Sequence, residues 1–269
     1  MTPWLFHEGS TPLLISMPHA GTSLTPEVEA GLTDRARLLP DTDWHIPALY
    51  AFASTMGASI LQANYSRFVV DLNRPADDTP LYQTATTGLF PDTLFDGEPV
   101  FRPGQEPDKA HRAWCLEQVW QSYHQQLAAT LAAIKARFGY ALLFDAHSIA
   151  SVIPRLFDGR LPDLNIGTNQ GASCAPAVSE ALRASCEAQS AYTWVINGRF
   201  KGGHITRAYG DPANHIHAVQ LELAQCNYMD ETPPFAWQEN RAAALQQVLK
   251  SLLEALVTSA RAVEEPYAS

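Results

Sequence analysis

Residues 140–148, YALLFDAHS, decide how this chain is built. Tyr140 to Phe144 are apolar without a break, and then Asp145, Ala146, His147 and Ser148 follow. A strand with one wet face alternates apolar and polar residues. A continuous apolar run of strand length fits a strand covered on both faces. The segment just before it, 110–137, has a different period: Val119, Trp120, Tyr123, Leu127, Leu131 and Ile134 recur at helical spacing. Gly139 between the two fits a helix stop. A helix, a stop and a doubly covered strand make the repeating unit of an α/β fold.

The same pattern extends outward. Strand-length runs stand at 12–17 (PLLISM), 59–65 (SILQANY), 67–72 (RFVVDL), 164–168 (LNIGT), 192–198 (YTWVING) and 217–224 (HAVQLELA). Shorter helices are expected at 43–56 and 175–189. A longer one is expected near the end, where Leu245, Val248, Leu249, Leu252, Leu253 and Leu256 share a face. Alternating strands and helices predict an α/β three-layer sandwich around a mixed, mostly parallel sheet. Two segments stay outside the scheme. Residues 75–107 are rich in Pro, Gly, Asp and Thr, and 199–215 in Gly, His and Arg. Long irregular segments in a compact domain are commonly binding loops.

Composition narrows the function classes. The chain has 269 residues, 46% of them hydrophobic and 17% charged, which suits one domain over 1–269. No Ser/Gly tract, charge block or internal repeat divides it. Its first residues have neither the basic start nor the apolar core of a signal peptide, and no apolar run reaches membrane-spanning length. The cysteines Cys115, Cys174, Cys186 and Cys226 show no CxxC spacing, as expected of free thiols in a reducing cytoplasm. A formal net charge of −10 argues against nucleic acid or an anionic membrane as partner. Oligomeric state is not legible.

Ligand sites in open α/β sheets lie beyond the carboxyl ends of strands, and here those ends are polar. PLLISM runs into Pro18 and His19; RFVVDL into Asn73 and Arg74; YALLFDA into His147; and Glu222 interrupts HAVQLELA. Each has an ordinary reading alone, as a turn residue, a helix cap or half of an ion pair. Together, two histidines and a carboxylate form the ligand set of a catalytic zinc site, with one position left for water. Asp41 and Asp43 in PDTDWH are both candidates for the carboxylate. Amide hydrolysis also needs a carboxylate to move the proton from water to the leaving amine, and Glu222, raised in pKa by burial, suits that work. His215 and His217 fall on the opposite face from Glu222 by strand period and read as structural.

Taken in order, SMPHAG, DTDWHIPALY, SRFVVDLNRP, FDAHSI and FKGGHITRAYG followed by IHAVQLELAQCNYM resemble the N-formylglutamate amidohydrolase family, over about residues 10 to 255. The resemblance implies a zinc carboxypeptidase-like fold, related to aspartoacylase, with about eight strands. It implies one zinc ion and hydrolysis of N-formyl-L-glutamate to formate and L-glutamate, the closing step of one histidine-degradation route. Zinc is the default, although other divalent transition metals suit the same ligands. His19, Asp43 and His147 are the implied metal ligands. The carboxypeptidase HxxE pattern is absent, since Thr22 stands three residues after His19. Glu222 and Arg67 are the implied catalytic pair, Arg67 through its likeness to a carbonyl-polarising arginine.

A small dicarboxylate calls for two cationic clamps, and the planar fork of Arg matches carboxylates bidentately. Arg74 with Asn73 is expected on one carboxylate and Arg207 on the other. Gly203 is expected to let backbone approach the ligand, and His204 to contact it or line the rim. A straight six-residue strand spans about 20 Å, so Arg67 and Arg74 share a pocket only if 67–72 bends or bulges. Two other readings remain: a hydrolase of another N-acyl amino acid or short peptide, and a non-catalytic protein that binds acidic amino acids.

Overall fold

A computed structural model describes residues 1–81 and 86–264. Seven strands form one sheet in the order β1-β3-β2-β4-β7-β5-β6. They are β1 (Trp4–His7), β2 (Leu13–Met17), β3 (Ser59–Ala63), β4 (Ala141–Ile149), β5 (Leu164–Gly167), β6 (Trp194–Ile196) and β7 (Ile216–Ala224). The centre β3-β2-β4-β7 is parallel throughout, β1 and β5 join it antiparallel, and β6 runs parallel to β5. The sheet is therefore mixed and mostly parallel, as expected, with seven strands among the described residues. No helix among the described residues is long and apolar enough to cross a membrane. The four cysteines are unpaired.

The helices are α1 (Pro26–Gly31), α2 (Ile46–Leu49), α3 (Lys109–Cys115), α4 (Ser122–Phe138), α5 (Pro176–Glu187), α6 (His204–Tyr209) and α7 (Glu239–Glu264). A π turn at Leu116–Gln121 joins α3 to α4. They cover the sheet on both faces. Leu13, Ile15, Leu142, Phe144, Val219 and Leu221 pack toward α2, α5 and α7. Leu14, Ala141, Leu143 and Ala218 pack toward α4 and α6. This double burial explains the unbroken apolar runs of β2 and β4.

The second face changes character along the strands. On β4 it passes from Leu143 to Asp145 and His147, on β7 from Ala218 to Gln220 and Glu222, and on β2 from Leu14 to Ser16, since side chains two apart share a face. All of these polar groups are buried. The same strands thus build a core at one end and a polar site at the other.

Three expectations need correction. β1 escaped notice because it is a short edge strand with alternating exposure. Residues 199–215 are not wholly irregular, for they contain α6 and a 3₁₀ turn at Pro212–Asn214. The third concerns 67–72, which forms successive turns and no strand. Val69 N donates to Ser66 O at 2.9 Å, and Arg74 N to Asp71 O at 3.3 Å. Phe68, Val69, Val70 and Leu72 are all buried, so the apolar run signals burial alone. Periodicity does not separate a buried strand from a buried turn of the same length.

Candidate metal and hydrolytic site

His19 follows β2 by two residues, while His147 lies within β4, which continues to Ile149. Asp43 sits before α2, and its amide donates to His19 O at 3.0 Å, which fixes it beside that strand end. Its Oδ2 lies 3.1 Å from His147 Nδ1 and 3.8 Å from His19 Nδ1. His19, Asp43 and His147 each offer a ligand atom, all within 4.8 Å of one another, and all three are buried. Asp41 faces elsewhere: its Oδ2 accepts from Phe95 N at 2.9 Å, and burial raises its pKa to about 6. Neither aspartate caps α2, whose N-cap residue is His45.

The far side of each imidazole is also fixed. His19 Nε2 lies 2.7 Å from Asp71 Oδ1, and His147 Nε2 lies 2.8 Å from Asp145 Oδ2. A carboxylate accepts but does not donate, so each Nε2 carries the proton. With a cation bound, the neutral ring would offer it the Nδ1 lone pair; without one, His147 Nδ1 donates to Asp43 Oδ2. Carboxylate–histidine pairs of this kind hold metal-ligating imidazoles in tautomer and orientation. The donor set therefore fits a divalent cation: two nitrogens, one carboxylate and two outer carboxylates.

Asp71 organises the turn that replaces the expected strand. Besides His19 it accepts from Asn73 N at 2.8 Å and from Arg67 Nη2 at 2.6 Å. Burial alone would raise its pKa, but His19 and the Arg67 guanidinium outweigh this and hold it well below the usual carboxylate range. The turn brings Arg67 back against Asp71, four residues on, and both Arg67 and Arg74 line one cavity. The bend anticipated for a shared pocket is therefore present. Arg67 also lies over the Phe95 ring at 4.7 Å, and its Nε is buried with no hydrogen-bond partner among the described residues.

Glu222 stands beside His147, its register partner on the neighbouring strand. Burial pushes its carboxyl up to about 8, against the lowering effect of His147. Gln220, two residues earlier on the same face, accepts from Gly203 N at 2.7 Å and turns its Nε2 toward Glu222 Oε2 at 3.5 Å. The cavity holds His19, His147, Gln220 and Glu222 together with Arg67, Asn73, Arg74, Phe95, Arg199 and Gly203.

Each expected substrate residue has a definite place. Among the described residues Arg74 hydrogen-bonds neutral groups only: Thr87 O at 2.8 Å, Asn73 O at 3.0 Å, and the Thr86 and Thr87 hydroxyls. Asn73 lines the cavity, but its amide is engaged within the protein. Its Oδ1 accepts from Ile205 N at 2.8 Å, and its Nδ2 donates to Asp145 Oδ2 at 3.4 Å. Gly203 is small because of Asn73: a Cβ there would fall 2.3 Å from Asn73 Nδ2. His204 and Arg207 lie outside the cavity lining. The His204 ring faces Trp120 and His124, while Arg207 Nε donates to Gly202 O at 2.8 Å. His215 and His217 are structural, as expected, both bound to Glu264 of α7 at 2.5 and 2.7 Å.

Sequence reasoning overlooked Gln220 and Arg199. Gln220 was open to discovery, since strand period puts it on the face of Glu222. Arg199 carried no signal beyond its place in the Gly/His/Arg-rich segment after β6.

Comparison with known proteins identifies the family. The family model described as N-formylglutamate amidohydrolase matches residues 11–229. A protein of Pseudomonas aeruginosa named N-formylglutamate deformylase is 62% identical over 95% of this chain and 96% of its own length. One of the same name from Pseudomonas putida is 60% identical over 94% of each chain. In fold, the crystal structure of N-formylglutamate amidohydrolase from Ralstonia eutropha superposes with a TM-score of 0.81 at 21% identity, covering 99% of this chain and 100% of that one. With the family model matched over residues 11–229 and relatives at 60–62% identity, the chain belongs to the N-formylglutamate amidohydrolase family.

Proposed function

We propose that the protein is a metal-dependent deformylase that hydrolyses N-formyl-L-glutamate to formate and L-glutamate. The observation that carries the reading is the buried His19–Asp43–His147 group, which lies beside Glu222 in a cavity also lined by Arg67 and Arg74. The name shared by the Pseudomonas relatives supports the substrate. His19 and His147, through Nδ1, and Asp43, through its carboxylate, would hold the cation. Zinc is the first candidate for this donor set, and it supplies Lewis-acid activation of water and of the formyl carbonyl.

The chain's own groups do the rest. Glu222 accepts a proton from the attacking water and returns it to the departing amine nitrogen. At about 8 its carboxyl is largely protonated at neutral pH. A cation held beside it would favour the ionised state that a base requires. Arg67, with its buried Nε unpartnered among the described residues, donates to the formyl oxygen as negative charge develops there. Arg74, whose hydrogen bonds go to neutral partners, receives one substrate carboxylate. We assign the second to Arg199, which lines the cavity, and give Arg207 the task of fixing the Gly202 carbonyl behind it.

Formate release from N-formyl-L-glutamate is the direct test, with N-acetyl- and N-succinyl-glutamate alongside. Expected are a preference for the formyl compound, loss of turnover on chelation and recovery with zinc. Full activity in a verified metal-free sample, or a preference for the larger acyl groups, overturns the reading. Glu222→Gln should lower kcat by about 10²- to 10⁴-fold while metal content stays constant. A smaller loss removes Glu222 from its role.

A further inference from the structure

Three consecutive carbonyls, of Leu72, Asn73 and Arg74, are each held by a donor from a helix. His124 Nε2 donates to Leu72 O at 2.9 Å, His204 N to Asn73 O at 3.4 Å, and Trp120 Nε1 to Arg74 O at 2.9 Å. The two side-chain donors come from the stretch where α3 passes through its π turn into α4. Rings four residues apart on a regular helix are separated by about 6 Å of axial rise. Here Trp120 and His124 stack with centroids 3.8 Å apart and planes 25° apart. π turns occur often beside functional sites, and this one sets two N–H groups against carbonyls on either side of Asn73.

The stack is itself locked. Tyr209 of α6 places its hydroxyl 2.8 Å from His124 Nδ1 and its ring 5.8 Å from the imidazole. A carbonyl only accepts, so His124 carries its proton on Nε2, and Nδ1 is left to accept from Tyr209. Neither Trp120 nor His124 lines the cavity. Arg74, whose carbonyl Trp120 holds, does line it, as does Asn73 between the two carbonyls they grip.

We infer that Trp120 and His124 are positioning residues. The π turn and α4 clamp the 72–74 backbone, and so aim Arg74 at the substrate carboxylate without touching substrate. The inference rests on the assignment of Arg74 to a carboxylate, made above. It separates two roles that a core aromatic cluster would otherwise merge: filling space and directing a guanidinium.

The test is a double-mutant cycle between Trp120→Phe and Arg74→Ala in the metal-loaded enzyme. Phe keeps a ring for the stack and removes the indole N–H. Expected for Trp120→Phe is a rise in KM for N-formyl-L-glutamate of about 3- to 10-fold, the weight of one hydrogen bond. The value of kcat and the bound-metal content should stay unchanged. In the Arg74→Ala background the same substitution should raise KM no further. An equal rise in both backgrounds, or none in either, overturns the positioning role. If Arg74→Ala alone leaves KM unchanged, the carboxylate assignment fails first and the inference falls with it. Should Trp120→Phe not fold, Tyr209→Phe, which frees His124 Nδ1, carries the same cycle with the same criteria.

Discussion

Replacing Gly203 with Ala tests the packing of the site more sharply than removing any charge. Gly203 has an ordinary φ of −81°, so the substitution meets no backbone objection. The objection is spatial. The new methyl carbon would stand 2.3 Å from Asn73 Nδ2 and 2.6 Å from its Cγ and Oδ1. Ordinary contact begins near 3.4 Å, so something must move by about 1 Å, against the strain known for overpacked sites. Asn73 has no slack for this. Its Oδ1 is held by Ile205 N at 2.8 Å and its Nδ2 faces Asp145, all out of water. Overpacking of this kind costs about 1–3 kcal/mol, and a buried amide group left unpaired about 1–3 kcal/mol more. The expected loss is about 2–6 kcal/mol, measured by urea denaturation of the metal-free protein to avoid coupling to metal binding. Whichever side gives way, Asn73 or the start of α6, the carbonyl clamp on 72–74 loosens, so KM should rise as well. A Gly203→Ala protein within about 0.5 kcal/mol of wild type, with unchanged KM, would refute the account of why this position is glycine.

Other outcomes follow from the same geometry. Asp71→Asn and Asp145→Asn each replace the carboxylate behind an imidazole of the candidate metal site with a neutral amide. Metal affinity should fall about 10- to 100-fold in competition with a chromogenic chelator, and unchanged affinity would deny both carboxylates that role. His124 has a folded pKa near 4, lowered chiefly by burial, against 6.5 unfolded. As pH drops through that window the unfolded chain binds the proton first, so stability falls, by up to about 3 kcal/mol from this residue. His124→Gln should flatten the acid-side slope by as much as one proton, and an unaltered slope in urea titrations between pH 4 and 7 would contradict it. Arg199→Ala should raise KM for N-formyl-L-glutamate by about 10-fold or more, as loss of a charged hydrogen bond does, and by more than Arg207→Ala. The reverse order would return the second carboxylate to Arg207.

Much of the molecule is legible in its sequence. Six of the seven strands, the three-layer class and the grouping of His19 with His147 follow from apolar runs that end in polar residues. A strand buried on both faces must be apolar on both, and a side chain that interrupts it must have a local reason to be there. That logic finds Glu222 and sets His217 aside, because period 2 assigns faces without coordinates.

What the sequence alone determined was therefore local: which segments are buried, which faces they present, and which chemical groups stand where strands end. Tertiary structure decided the rest. Asp41 and Asp43 differ by two residues and share one neighbourhood of sequence, yet one faces two imidazoles and the other the Phe95 backbone. The run 67–72 is apolar enough for a strand, yet it folds into turns around Asp71, and those turns deliver Arg67 and Arg74 to one cavity. Gly203 was expected to yield space to a ligand, and it yields it first to Asn73, 130 positions earlier. For Asp41, Asp43 and Gly203 the deciding contacts join residues far apart in the chain, and the turn at 67–72 adds to its local bonds the one between Asp71 and His19. Burial and periodicity are properties of neighbours along the backbone, whereas the direction of a carboxylate or guanidinium depends on whichever distant donors and acceptors packing sets beside it.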